Sequence, residues 1–164
     1  MADASSLRKA ASLPSATGNN QSSIRFIDGE LALSNGTNWV YPGRVEVSSS
    51  GTTADGAFYI ANRPMEVVAI REVHSTAGSD GSAVNVQVVK DTGTNAPGAG
   101  TDLLTNNSSA GFNLKGTANT VQTGTLTATA ASKKLAAGDR LSLDFAGTLT
   151  AVAGVVVTVT LRPI

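Results

Sequence analysis

The chain has 164 residues, with twelve basic and twelve acidic residues, so its formal net charge is zero. This balance argues against nucleic-acid binding, because such surfaces need an excess of Lys and Arg to replace counterions on phosphates. The absence of Cys excludes disulfides, zinc–thiolate sites and a thiol nucleophile. Hydrophobic residues make up 41% of the chain, enough for the core of one sandwich-sized domain. No stretch of about 20 residues is apolar enough to predict a membrane span.

Residues 1–23 form a predicted N-terminal arm. The segment is rich in Ala, Ser, Asn and Gln, and its large aliphatic side chains are Leu7 and Leu13. Helical spacing over residues 7–11 predicts at most a marginal helix, because so short a helix has few internal hydrogen bonds to offset its nucleation cost. We expect the arm to be disordered and flexible unless a partner holds it.

Residues 24–43 form a predicted β-hairpin and meander unit. Asp28-Gly29 and Asn35-Gly36 are typical of two-residue type I′ turns, which predicts three short strands. So small a unit has almost no core of its own, so we expect its apolar residues to pack in a trimer interface. These residues are Ile24, Phe26, Leu31, Leu33, Trp39 and Tyr41. We further expect Trp39 to be buried between chains in one cluster with Phe26, Leu31 and Leu33.

Residues 44–164 consist of predicted strands and turns, which indicates an all-β fold and an antiparallel β-sandwich of the jelly-roll kind. Alternation in Ala83–Val89 and Val155–Leu161 predicts that each of these two strands buries one face. Thr101–Thr105 is a possible brief helical turn. The remaining predicted strands are Val45–Val47, Ala57–Ala61, Met65–His74, Thr120–Ala128 and Arg140–Phe145.

Two residues invite a catalytic interpretation. Asp91-Thr92-Gly93 has the triplet of aspartic proteases, but that mechanism needs two carboxylates sharing a proton, so a turn is favoured. His74 could serve a catalytic triad, yet the chain has no Gly-x-Ser-x-Gly elbow. A histidine at a strand end or an interface is therefore favoured. We predict no catalytic residues and no enzymatic activity.

The sequence signals for ligand-binding sites are equally weak. Asp80 and Asp139 lie in turns, but neither has a second acidic residue nearby, as a calcium loop would. Trp39, Tyr41 and Tyr59 could form a sugar-binding platform, although structural use of these aromatic residues is favoured. We predict no metal and no cofactor.

Two segments resemble parts of tailed-bacteriophage virion proteins. Ile24-Arg25-Phe26, Gly29, Leu31 and Ser34–Val40 are similar to a hairpin unit of intertwined trimeric fibres and head fibres. Leu135–Asp144 and Val155–Ile164 resemble the last strands of phage virion jelly rolls. The resemblance implies a virion surface protein, either a capsid decoration (cement) protein or part of a fibre. The short length favours decoration.

The resemblance, together with the small core of the meander unit, therefore implies a homotrimer that binds the major capsid protein on the outer capsid surface and stabilises or decorates the shell. The arm is the predicted capsid-binding segment, because it has apolar and basic side chains and no role in the sandwich. Its contact residues are Leu7, Arg8, Lys9 and Leu13. Neither nucleic acid nor membrane is an expected partner. Two alternatives stay open: a dimer, and a receptor- or glycan-binding module at a fibre tip.

Overall fold

The structure is a computed structural model that describes residues 13–18, 23–27, 29–51 and 53–164. The chain divides into two units: unit 1 comprises Met1–Arg44 with Arg162–Ile164, and unit 2 comprises Val45–Leu161. The inclusion of the last three residues in unit 1 has no counterpart in the sequence prediction. Within the described ranges, no helix is long and apolar enough to cross a membrane.

Unit 1 contains the predicted meander. Its three antiparallel strands pair in chain order and are β1 (Ile24–Ile27), β2 (Glu30–Ser34) and β3 (Trp39–Val40). The expectation of a type I′ turn at Asn35-Gly36 is wrong, because Asn35 does not have the positive φ that this turn requires. The loop instead has four residues, and the Asn35 side-chain oxygen accepts hydrogen bonds from the amides of Thr37 and Asn38. An Asx turn therefore replaces the tight hairpin.

The described residues of unit 2 form ten strands and one short helical turn, α1 (Asn106–Ser109). The strands are β4 (Val45–Ser50), β5 (Gly56–Ile60), β6 (Met65–Val73), β7 (Asn85–Asp91), β8 (Thr101–Asp102), β9 (Phe112–Asn113), β10 (Gln122–Thr123), β11 (Lys134–Leu135), β12 (Arg140–Ala146) and β13 (Val156–Pro163), whose last residues continue into unit 1.

The strands of unit 2 form two sheets with the winding of a jelly roll. One sheet has the order β4-β13-β6-β10, with β11 also pairing with β6. The other has the order β5-β12-β7-β8, with β9 also pairing with β7. The chain alternates between the sheets in β4 to β7, crosses back after β9, and alternates again in β12 and β13. The predicted all-β sandwich is confirmed.

The core lies between the two sheets. Its buried side chains come from both, including Val86 and Val88 of β7, Leu141 of β12, and Val157 and Val159 of β13. Strand β13 buries alternate residues, as its sequence predicts. Strand β7 differs, because it is buried on both faces. Its second face is covered by chain that follows it.

Gln87 shows how that second face is covered. The Gln87 carboxamide donates to the carbonyls of Leu104 and Ser109 and accepts from the Leu104 amide. A polar residue in an alternating strand predicts solvent exposure, but here it binds the backbone of a loop. The prediction of one buried face for Ala83–Val89 is therefore wrong.

Two other predicted elements differ from the structure. Only Gln122–Thr123 of the predicted strand Thr120–Ala128 is a strand, and it pairs with the end of β6. Thr101–Thr105 is not helical: Thr101–Asp102 pairs with β7, and the helical turn begins at Asn106. Thr-rich segments fit both edge strands and loops, so composition alone could not place these boundaries.

Candidate interaction surface

One face of the unit 1 sheet is apolar and exposed. Ile24 lies opposite Leu33, and Leu33 lies opposite Val40, so these three side chains form one row across the sheet. Phe26 and Leu31 form a second row on the same face. Ile24 is 45% exposed and Val40 is 46% exposed. We call these five residues the apolar face of unit 1.

The opposite face of this sheet carries Trp39, which is paired with Ser34. Side chains alternate along β2, so Ser34 points away from Leu33 and Trp39 lies on the face opposite to Phe26, Leu31 and Leu33. Within one chain these four residues therefore do not share a sheet face, and the expected burial of Trp39 between chains stays a prediction. The Trp39 indole instead donates a hydrogen bond of 2.7 Å from Nε1 to the carbonyl of Pro14.

Glu30 is at the centre of an ion-pair cluster within unit 1. Arg44 donates to both carboxylate oxygens of Glu30, from Nε at 3.0 Å and Nη2 at 2.8 Å, and Arg162 Nη1 lies 3.6 Å from Oε2. These arginines, chiefly the hydrogen-bonded Arg44, hold the pKa of Glu30 below its ordinary value. The Arg44 guanidinium also lies 4.0 Å from the centre of the Tyr41 ring. Tyr41 therefore has a structural contact.

The predicted capsid-binding residues lie mostly outside the described part of the chain. Leu7, Arg8 and Lys9 belong to the residues that the structure does not describe. Leu13 is half-buried, and the following Pro14 accepts the hydrogen bond of Trp39. One segment of the predicted flexible arm is thus joined to β3 by a hydrogen bond, for which the sequence gives no signal.

His74 is fully buried in unit 2 and binds two groups. Its Nδ1 lies 3.0 Å from Glu72 Oε1, and its Nε2 lies 3.2 Å from the carbonyl of Gly116. Gln122 donates to the second Glu72 oxygen at 2.7 Å. Burial raises the pKa of Glu72, and the hydrogen bond with His74 partly counteracts this. The favoured strand-end position of His74 is correct, and its partner Glu72 was not identified from the sequence.

Asp91 is also buried, at the end of β7. Its Oδ2 accepts hydrogen bonds from the Ser142 hydroxyl and from the Gly98 amide. Asp91 therefore fastens the loop that follows β7 to the neighbouring strand β12. Asp144 lies beside the same loop, and burial together with repulsion from nearby carboxylates raises the pKa of Asp144.

Asp80 and Asp139 stabilise turns. Asp80 accepts from the Ser82 amide and Asp139 from the Ala136 amide, each at a spacing typical of turn residues. Among the residues that the structure describes, no group of three or more acidic or His side chains is placed to hold a metal ion. Tyr59 is half-buried and packs against the core of unit 2.

Comparison of the chain with known protein families, with curated proteins and with solved structures finds no match.

Proposed function

We propose that the protein is a structural virion protein that assembles as a homotrimer and binds the outer surface of a tailed-phage capsid. The observation that carries the proposal is the apolar face of unit 1. Among the described residues of unit 1, the one fully buried apolar side chain is Ala32. Five larger apolar side chains remain at least partly exposed on one sheet face. A second copy of the same surface can pack against this face without charge repulsion, since the face carries no charge.

Energetics favour self-association through this face. Burying a Leu, Ile or Phe side chain contributes about 1.5–3 kcal/mol. The five side chains of the apolar face, Val40 among them, are already partly buried, so each would gain part of this amount, and their sum is set against an association cost on the order of 4–15 kcal/mol. The number of copies rests on the resemblance of Ile24–Val40 to the hairpin unit of trimeric fibres. A three-fold axis would bring three apolar faces together.

Two features support attachment to a capsid: the zero net charge of the chain and the composition of the arm. A chain with zero net charge gains little from long-range steering, so binding to a shell would depend on shape and apolar contact. The arm offers Leu7 and Leu13 beside two basic residues. Three arms on one trimer would bind with a raised effective concentration, because the later arms bind intramolecularly once the first is attached.

Sedimentation velocity tests the assembly. We expect the wild-type chain to sediment as a trimer, and Phe26→Ser combined with Leu33→Ser to sediment as a monomer with an unchanged β-type circular dichroism spectrum. Ile60→Ser is the matched control, because Ile60 is 65% exposed but lies on β5 in unit 2. A monomeric wild type, or a double variant that still forms trimers, would contradict the proposal.

Co-purification tests the location. The protein should remain with assembled capsids at a fixed ratio to the major shell protein. A variant lacking residues 1–12 retains the Pro14 carbonyl that binds Trp39, so we expect it to form trimers that no longer bind capsids. Full occupancy by this variant would exclude residues 1–12 as the anchor. Absence of the wild-type protein from purified capsids would refute the virion role.

A further inference from the structure

A polar pocket of about 390 Å³ lies in unit 2, beside the start of β7. Asn85 of β7 pairs with Asn113 of β9, which places both side chains on the same face of the sheet. Residues of the adjoining loops complete the wall. Its polar lining residues are Ser82, Asn85, Asn107, Asn113 and Lys115, and the rest are Gly and Ala.

Asn85 distinguishes this pocket from an ordinary surface depression. Its side chain is only 8% exposed, and it makes no hydrogen bond to any residue that the structure describes. Its carboxamide atoms are not sealed in the core, so a molecule that contacts the side chain can hydrogen-bond to them. Since Asn85 lines the pocket, that molecule would lie in the pocket.

The other polar side chains are held in place by one hydrogen bond each and keep unused donors or acceptors. Asn107 uses its Nδ2 to bind the Gly111 carbonyl, and Asn113 uses its Oδ1 to accept from the Lys115 amide. Lys115 Nζ donates to the Ser82 carbonyl at 3.0 Å, which leaves two further N–H donors. The pocket thus offers fixed donors, fixed acceptors and one positive charge.

The backbone beside the pocket is strained. Asn107, Ser108 and Ser109 have φ values of 50°, 56° and 70°, a left-handed run that L residues rarely adopt. Such strain is concentrated at ligand sites, where it fixes a side chain in place. Here it holds Asn107 at the rim.

We propose that this pocket binds a carboxylate-bearing sugar. Hydroxyl groups both donate and accept, which suits three carboxamides, and the carboxylate suits the ammonium group of Lys115. No acidic residue lines the pocket, and the nearby Asp80 carboxylate interacts with Lys115 from outside the lining. This site is separate from the apolar face of unit 1, so the inference does not depend on the proposed assembly.

Two-dimensional NMR of the full ¹⁵N-labelled chain tests the proposal with three probes: D-glucuronate, D-glucose and acetate. We expect glucuronate to shift the side-chain amide signals of Asn85, Asn107 and Asn113 in a saturable manner. Glucose has the hydroxyl groups without the carboxylate, and acetate has the carboxylate without the hydroxyl groups. The affinity of each should therefore be lower than that of glucuronate by about tenfold or more. Equal binding of glucose and glucuronate would overturn the assignment of the carboxylate to Lys115.

Three variants separate the contributions. Asn85→Ala should weaken glucuronate binding about tenfold, since a hydrogen-bonded pair is lost. Lys115→Gln should remove the preference for glucuronate over glucose. Asn95→Ala is the matched control, because Asn95 is exposed and lies outside the pocket. Glucuronate binding unchanged by Asn85→Ala, or no saturable shift in the wild type, would overturn the proposal.

Discussion

Glu72 and His74 lie two residues apart on the inward side of β6 and the loop that follows it, and their side chains meet at 3.0 Å with neither exposed. Both ring nitrogens of His74 face oxygen atoms, one from Glu72 and one from the Gly116 carbonyl. Each ring nitrogen of His74 therefore has an oxygen partner, and the buried Glu72 carboxyl has hydrogen-bond partners in both His74 and Gln122.

This pair predicts a stability that decreases with rising pH. Burial raises the pKa of Glu72 above its ordinary value of 4.5. Above about pH 4.5 the unfolded chain releases a proton that the folded protein keeps, so the free energy of unfolding falls as pH rises towards the folded pKa. Urea unfolding at a series of pH values measures how steeply the free energy of unfolding changes with pH. Glu72→Gln should flatten it, whereas Glu46→Gln, an exposed carboxyl on β4, should not. An equal slope in all three proteins would contradict the prediction.

The ion pairs of Glu30 predict the opposite pH dependence. Arg44 lowers the pKa of Glu30, so the stabilisation is fully present above the ordinary value of 4.5 and is lost as pH falls through the folded pKa. Glu30→Gln should cost about 1 kcal/mol near neutral pH, because the cluster is only partly buried. The difference from wild type should shrink in acid. Arg44→Lys, which keeps the charge but loses the two-pronged geometry, should show an intermediate loss.

Trp39→Phe should destabilise unit 1 by about 1 kcal/mol, since it removes the indole N–H that binds the Pro14 carbonyl and keeps most of the ring. Thermal unfolding provides the measurement. Tyr59→Phe is the control, because it removes one polar group from a half-buried aromatic residue of unit 2. If the two substitutions have the same effect, the Pro14 contact does not stabilise the protein.

Gly111→Ala should be severely destabilising. Gly111 has φ +90°, and an added Cβ would lie 2.1 Å from the Val86 carbonyl oxygen of β7. A side chain here would separate the loop from the strand that it covers. Gly81→Ala is the control, because nothing lies within 4 Å of its added Cβ. Denaturant unfolding should show a loss of about 2 kcal/mol or more for Gly111→Ala and little change for Gly81→Ala.

The fold was predictable where side-chain alternation and turn residues agree. Val156–Pro163 buries every second residue as its sequence predicts, and the three strands of the meander lie between the expected turns. The prediction failed for β7, because Gln87 looks exposed in sequence but binds Leu104, seventeen residues away. Contacts of this kind depend on where a later loop returns, and local patterns contain no such information.

The interaction surface was predictable in part for the same reason. Alternation in β2 places Leu31 and Leu33 together on one face. A two-residue turn would pair Trp39 with Ala32, and the observed four-residue loop pairs it with Ser34, so either loop places Trp39 on the opposite face. Val40 lies on the face of Leu31 and Leu33 with either loop, so both placements could have been predicted from the alternation. The pocket at Asn85 has no signal in sequence, since asparagine is common in turns.

The membership of Arg162–Ile164 in unit 1 has a consequence for limited proteolysis. The backbone passes between the units at Arg44–Val45 and again at Leu161–Arg162. A protease that cuts once, after Arg44, leaves both fragments bearing residues of unit 1, so the Glu30–Arg162 contact still spans the two fragments. A second cut after Leu161 would remove the last covalent link between residues of unit 1 and unit 2, because Arg162–Ile164 would then be a separate peptide.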